Sequence, residues 1–333
     1  MRKLYTLFLF VFIMSVLIFT GPSAALARDV QLSFGGSATG GVMFYIAGAF
    51  TNTVSPLVDG VNVTNVTTGA AVDNIIRVAR GELDLAITYG ALVYEMAHGT
   101  GIFESPEWAE IAHNVMGISK AYDSDISFTV LARSDIMTLS DLNGRTVSMG
   151  PPGSGTQYAA DMIADALGLD ITRRYLSFGD TVSAMREGVI DAMAQAGSPA
   201  GSVTELAEMD GIRIIPFTNE DIATIQQVSP FFYADYMPVG RYRGVDEPIQ
   251  LPHFRNYWIV HRDVCPDLLY RMLEVTFRPD IISLLAMQHP AWNEHAEDTE
   301  GFESLGLEIH PGARRFFENH PNAPRAEPIR IAN

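Results

Sequence analysis

One repeated unit restricts the fold more than any other feature: a short apolar strand, a glycine at its end, then a helix. Val30–Phe34 is a strand closed by Gly35-Gly36, and Gly41–Val54 is apolar and of helical length. Val61–Val66 alternates as a strand. Ala70–Arg80 carries helical spacing at Val72, Ile75, Ile76 and Ala79 and stops at Gly81; Leu83–Thr88 reads as a buried strand. Strands alternating with helices in this order make a mostly parallel sheet with helices on both faces. The unit then recurs. Arg145–Met149 is a strand ending at Gly150, and Gly155–Leu167 is a helix with Ala159, Ile163 and Leu167 on one face, closed by Gly168. Tyr175–Phe178 reads as a strand, Thr181–Glu187 as a helix stopped by Gly188, and Ile190–Ala194 as the next strand. Ser33-Phe34-Gly35 aligns with Ser148-Met149-Gly150, and Arg80-Gly81-Glu82-Leu83-Asp84 with Glu187-Gly188-Val189-Ile190-Asp191. Two similarly built α/β lobes follow.

Strand-like Ser127–Leu131 lies between the lobes, and Ile212–Pro216 follows the second. Asn256–His261 is a strand suited to rejoin the first sheet, and Pro266–Arg278, Asp280–Gln288 and Gly312–Asn319 read as helices. The expected layout is lobe 1 from residues 28–122 plus 226–333 and lobe 2 from 123–225, with strands crossing between them as a hinge around a ligand cleft. Residues 1–27 read as a secretory signal peptide. Arg2 and Lys3 precede the apolar run Leu4–Thr20, Gly21-Pro22 breaks it, and Ala25-Leu26-Ala27 offers a small-x-small cleavage pattern. The mature chain is therefore expected in the periplasm. With 22 basic against 39 acidic residues and a net charge of -17, the chain lacks the basic footprint of a nucleic-acid binder.

Each lobe presents a glycine-rich loop between strand and helix, Gly35–Gly41 in the first and Gly150–Thr156 in the second. Such loops stand at the carboxyl ends of strands, where open α/β sheets bind ligands, and free amides at a helix start favour an anion. Ser37, Thr39, Ser154 and Thr156 add hydroxyls, and Thr67-Thr68-Gly69-Ala70 is a third site of this kind. Gly150–Thr156 is close to a phosphate-binding P-loop but has Thr156 in the lysine position and Gln157 in the Ser/Thr position, so the γ-phosphate grip is missing. There is no GxSxG elbow and no HExxH pair. His289 and His295 read as packing or surface residues, Cys265 as a buried inert thiol, and Asp84 and Asp191 as turn and capping residues. No catalytic residue, metal or cofactor is expected.

In order along the chain, Thr39-Gly40-Gly41-Val42, Thr68-Gly69, Val72-Asp73-Asn74, Gly81–Ala86, Leu142–Ser148, Gly150–Thr156, Gly188–Ala192 and Pro238–Gly244 resemble the TAXI-type solute receptors of TRAP transporters, within the type II periplasmic binding proteins. The resemblance covers nearly all of the mature chain. It implies a two-lobed, non-enzymatic receptor that closes on a small carboxylate such as glutamate or 2-oxoglutarate and delivers it to the membrane permease of a TRAP transporter, acting as a monomer. Carried over, Thr39, Gly40, Gly41, Phe44, Tyr45, Thr68, Asn74, Tyr89, Gly153, Ser154, Gly155, Thr156 and Ser198 are the expected ligand-binding residues. The family usually has TGGxYYP, whereas here Met43 and Phe44 replace both tyrosines, Tyr45 stands at the proline, and Tyr89 replaces a common glutamine. An unpaired buried polar group costs about 1–3 kcal/mol, so this cleft is expected to favour an acid less polar than glutamate. An exported enzyme or a sensor module on the same two-lobed fold is the alternative. Arg145, Arg173, Arg241 and Arg243 are candidates for an arginine in the cleft.

Overall fold

The computed structural model describes residues 29–327; the signal-peptide reading of residues 1–27 lies outside them. Strands β1 (Val30–Gly35), β2 (Val61–Val66), β3 (Leu85–Tyr89), β4 (Val115–Leu131), β5 (Thr146–Ser148), β6 (Thr172–Arg174), β7 (Ala192–Ala196) and β10 (Ile249–His261) form one path in the order β2-β1-β3-β10-β4-β7-β5-β6. Off that path, β8 (Ile212–Ile214) pairs with β4 and β9 (Tyr233–Met237) with β10. The fold is a mixed α/β sheet, as expected. The βαβ parts are parallel, β1 with β2 and β3 in one half and β5 with β6 and β7 in the other. The two long strands run antiparallel to their neighbours.

β4 belongs to both halves. It pairs with β10 as far as Asp125, then with β7 from Ile126 and with β8 from Thr129. Helices cover the sheet, among them α1 (Val42–Thr53), α2 (Ala71–Ala79), α3 (Gly90–His98) and α4 (Pro106–Ile111). The second half adds α5 (Gly155–Ala166), α6 (Phe178–Glu187), α7 (Gly201–Met209) and α8 (Asn219–Val228). The chain returns through α9 (Pro266–Thr276), α10 (Pro279–Gln288), α11 (Thr299–Leu305) and α12 (Pro311–Asn319).

The core of the first half is aromatic. Trp258 on β10 meets Phe34, Phe50 and Trp292 edge-on with ring centroids 5.2, 5.1 and 5.2 Å away. Such pairs add about 0.5–1.5 kcal/mol each beyond the area they bury. The two halves share a tie between parallel strands. Asp84, just before β3, accepts hydrogen bonds from the Ser33 N–H and hydroxyl, both at 2.7 Å. Asp191, just before β7, accepts one from the Thr146 N–H at 2.8 Å. These aspartates hold neighbouring strands in register, which gives their place in the two matching Gly-x-x-Asp turns a physical reason.

One strand was misplaced by the sequence pattern. Tyr175–Phe178 is not a strand; the strand is Thr172–Arg174, an edge strand paired to β5 alone, so it needs no apolar alternation. Phe178 opens α6, because the Ser177 hydroxyl accepts from the Asp180 N–H and caps the helix.

Candidate functional site

The glycine loop after β1 reaches across to the second half. Gly40 has φ +95°, a conformation that penalises a side chain, and a β-carbon there would lie 3.2 Å from Cβ of Phe178. One on Gly41 would meet the Ser37 hydroxyl at 2.5 Å and Phe178 Cε2 at 3.0 Å. Ser37 Oγ accepts from the Phe44 N–H at 3.1 Å. Phe44 and Tyr45 pack edge to face at 5.5 Å, and the Tyr45 hydroxyl lies 2.5 Å from where a Gly201 β-carbon would stand. Tyr45 is 38% exposed. Thr39 is exposed as well.

Thr68 and Asn74 pin this loop to the next one. Thr68 Oγ1 donates to the Gly36 carbonyl at 2.9 Å and accepts from the Ala70 N–H at 3.1 Å. The Asn74 amide donates to the carbonyls of Gly35, Gly36 and Ile87 at 3.2, 3.0 and 2.9 Å. Both spend their donors on the protein's own backbone. Opposite them, a β-carbon on Gly69 would lie 3.6 Å from the Gly153 carbonyl, so loops of the two halves face each other there.

In the second half, the Ser154 hydroxyl caps α5 by accepting from the Gln157 N–H at 3.0 Å. The Gly153 N–H donates to Gln157 Oε1 at 2.7 Å, and Thr156 Oγ1 accepts from the Ala196 N–H at 3.3 Å. Tyr89, at the end of β3, lies directly over Gly155: any β-carbon on Gly155 would collide with the phenol. Tyr89 is buried and packs on Phe254 with centroids 4.4 Å apart. Burial, reinforced by the neighbouring Tyr122, pushes the Tyr89 pKa well above its ordinary value, so it stays a neutral phenol. The structure thus brings Tyr89 against Gly155, Gly40 and Gly41 against Phe178, Tyr45 against Gly201 and Gly69 against Gly153, with Phe44 packed on Tyr45.

Ser198 lies at the crossing. Its hydroxyl donates to Asp125 Oδ2 at 2.5 Å, while Asp125 Oδ1 is buried without a partner among the described residues. Burial pushes the Asp125 carboxyl up; the nearby His253, itself pushed down by burial, opposes this. Asn256 on β10 donates to the Ser124 hydroxyl at 2.7 Å and to the Tyr122 carbonyl at 3.2 Å. Ser124 in turn is 3.4 Å from where a Gly197 β-carbon would be. None of Asp125, Ser124, His253 or Asn256 stood out in the sequence, because isolated polar residues in an apolar strand carry no motif.

A cavity of about 400 Å³ opens beside Tyr89. Its lining includes the first turn of α3 (Gly90, Ala91), Lys120, Asp123, Arg255 and Phe254. No side chain caps the α3 N-terminus, and an uncapped helix start favours an anion. Arg255 is only 9% exposed. Its Nε donates to Asp123 Oδ1 at 3.2 Å, and Nη1 donates to Asp298 Oδ2 at 3.0 Å and to the Glu327 carbonyl at 2.8 Å. Lys120 Nζ meets Asp123 at 2.6 Å. Burial works against the Arg255 charge, but Asp123 and Asp298 outweigh it and push its pKa up. Of the arginines the sequence offered, Arg145, Arg173 and Arg243 form ion pairs with Asp135, Asp161 and Glu208, whereas Arg241 keeps a buried Nε without a partner among the described residues. Arg255, which no motif marks, is the one in the cavity wall. Cys265 is exposed at the start of α9, not buried, since Pro266 opens a helix that turns its N-cap to solvent. His289 and His295 are buried packing residues. No cluster of three or more metal-ligating side chains occurs among the described residues.

This arrangement has relatives of known structure. A protein from Bordetella bronchiseptica RB50 superimposes with a TM-score of 0.54 at 13% identity, over 88% of this chain and 99% of that one. The alkanesulfonate-binding protein SsuA from Xanthomonas axonopodis pv. citri gives 0.49 at 14% identity, over 90% and 96%. The periplasmic aliphatic sulphonate binding protein SsuA from Escherichia coli gives 0.46 at 15%, over 88% and 94%. At such identities the likeness speaks for the fold alone, a mixed α/β sheet covered by helices. The sequence carries the family: residues 34–320 match the model described as NMT1-like family, and the chain belongs to that family.

Proposed function

We propose that the protein is an extracytoplasmic solute-binding receptor that closes on a small carboxylate and hands it to a membrane permease, of the TRAP type in the finer reading. The observation that carries the proposal is the contact between two glycine-loop surfaces on opposite halves of one sheet, Tyr89 on Gly155 and Tyr45 on Gly201, with β4 and β10 running between the halves. On this reading residues 28–122 with 226–333 form one lobe and 123–225 the other. Thr39, Gly40, Gly41, Phe44, Tyr45, Thr68, Asn74, Tyr89, Gly153–Thr156 and Ser198 line or brace the cleft.

The carboxylate assignment is supported by the start of α3, which no side chain caps, beside Arg255 and Lys120. The aromatic surfaces of Phe44, Tyr45, Tyr89 and Phe254 support a solute less polar than glutamate. Asp123 and Asp235 in the same cavity wall favour a second reading, a solute that carries an amino group as well as an acid. Native mass spectrometry of the protein from periplasmic extracts, with a thermal-shift panel of glutamate, 2-oxoglutarate and short aliphatic acids, tests this. The expected result is a retained small acid and a rise in Tm with at least one member. No retained mass and no shift with any carboxylate refutes the assignment.

A further inference from the structure

The two halves also touch one turn further along α5, beyond the glycine loop. There Tyr158 on α5 donates its phenol hydrogen to Glu95 Oε1 on α3 at 2.5 Å. α3 packs on β3, α2 and α11 in the first half, and α5 on β7 and α8 in the second, so this bond joins elements with different foundations. The carboxylate is held in place from behind. Its other oxygen accepts from the Ile102 N–H at 3.4 Å. Gly101, at φ +56°, leaves room for it, because a β-carbon there would lie 2.5 Å from the Glu95 carboxyl carbon.

The surroundings are those of a switch rather than an ion pair. Glu95 forms no salt bridge with any described residue. The cavity of about 740 Å³ around it is walled by Ile102, Met162, Val228 and Phe231. The titratable groups near it are few. On its own helix stand Tyr94 and His98, stacked on each other at 4.0 Å. From α5 comes Tyr158, with Asp161 one turn on and paired to Arg173. The loop after α8 and the facing Ser304 of α11 bring none. A carboxylate with no cation beside it is stable at an apolar seam only while a donor holds it, and it regains full hydration when the seam parts.

We propose that Glu95 and Tyr158 form a proton-sensitive catch that fastens the two halves of the molecule when they close. The inference rests on the reading of the protein as two lobes that open and close. Its sign follows from the environment. Burial pushes the Glu95 pKa up, and the Tyr158 and Ile102 donors reduce that shift without reversing it. Tyr158 is pushed up as well, first by burial and then by Glu95, and remains a phenol throughout. A group with a higher pKa closed than open takes up a proton on closing. The catch therefore favours closure at low pH and loosens as pH rises through the raised carboxyl range.

Pulsed electron spin resonance distances between labels at Glu104→Cys and Asp170→Cys, in full-length protein carrying Cys265→Ser, measure the open and closed populations from pH 4.5 to 7.5 without a ligand. Circular dichroism checks the fold at each pH. Wild type should lose closed population as pH rises. Glu95→Gln, whose amide oxygen still accepts from Tyr158, should flatten that dependence. Tyr158→Phe should cut the closed population about tenfold or more at pH 7.5, the worth of one hydrogen bond to an ionised group, and steepen the pH dependence. An unchanged pH dependence in Glu95→Gln overturns the catch while leaving the hinge reading intact. A single distance that no pH and no variant moves overturns the hinge reading, and the catch with it.

Discussion

Gly155→Ala isolates the contact on which the receptor reading depends. Gly155 is the first residue of α5, and the Tyr89 ring lies over it, with Cε2 2.6 Å from where the new methyl would stand and Cζ and Oη closer still. Tyr89 has little room to retreat, being 5% exposed with Phe254 packed on its other side at 4.4 Å. The methyl must therefore push α5 away from the end of β3. Overpacking of this kind costs about 1–3 kcal/mol, which lowers the closed population about 5- to 150-fold. Within its own half the substitution works the other way, because alanine exceeds glycine in helix propensity by up to about 1 kcal/mol. The two effects separate by measurement. Small-angle scattering should show a larger radius of gyration for the variant, while calorimetry shows a Tm equal to or above wild type. Adding Tyr89→Ala removes the obstacle and should restore the compact form. A variant as compact as wild type, or one that Tyr89→Ala fails to rescue, refutes the reasoning.

Burial, with Lys120 adding to it, pushes the His295 pKa down to about 3, so the folded state holds it neutral while the unfolded state protonates near 6.5. The unfolded chain then binds more protons, and stability is lost as pH falls through this window, by at most about 1.4 kcal/mol per unit from this group. Urea midpoints between pH 7 and 4.5 should show the loss, and His295→Gln should reduce the slope; an unchanged slope counts against a neutral buried imidazole. Asp84→Ala removes two hydrogen bonds to a carboxylate where Asp191→Ala removes one, so it should lower stability by roughly 1–2 kcal/mol more in urea unfolding. Equal losses would show that the second hydrogen bond to Asp84 adds nothing to stability.

Much of the fold was legible because parallel strands announce themselves. β1 and β3 are short and apolar and end in glycine or at a helix start, and β2 alternates; the helices beginning near Val42, Ala71, Gly155, Pro266 and Pro311 were read to within a few residues. The long crossing strands were seen only in part, as Ser127–Leu131 and Asn256–His261, where they run Val115–Leu131 and Ile249–His261. The reason lies in their chemistry. Lys120, Asp123, Asp125, His253 and Arg255 interrupt the apolar pattern, and Lys120, Asp125 and Arg255 are buried with partners across the sheet and beyond it that neutralise or hydrogen-bond them. Pairing of that kind is invisible along one strand. The same holds at the candidate site. The glycine loops are local and were found, whereas Tyr89 resting on Gly155, and Arg255 beside the start of α3, exist only when distant segments meet.

The placement of β8 against β4 reaches beyond binding. Leu131 and Ile212 face each other across that pairing, so residues 132–211 depart from β4 and return beside it at one point. A stretch whose ends are neighbours can be exchanged for another of the same span, provided its own β7 keeps the pairing to β4 over Ile126–Thr129. β5, β6 and β7, with the loop at Gly150–Thr156, therefore form a cassette. On the receptor reading, chimaeras spliced at these two residues would inherit one face of the proposed cleft as a unit, and new solute preferences would arise by recombination there rather than by one substitution at a time.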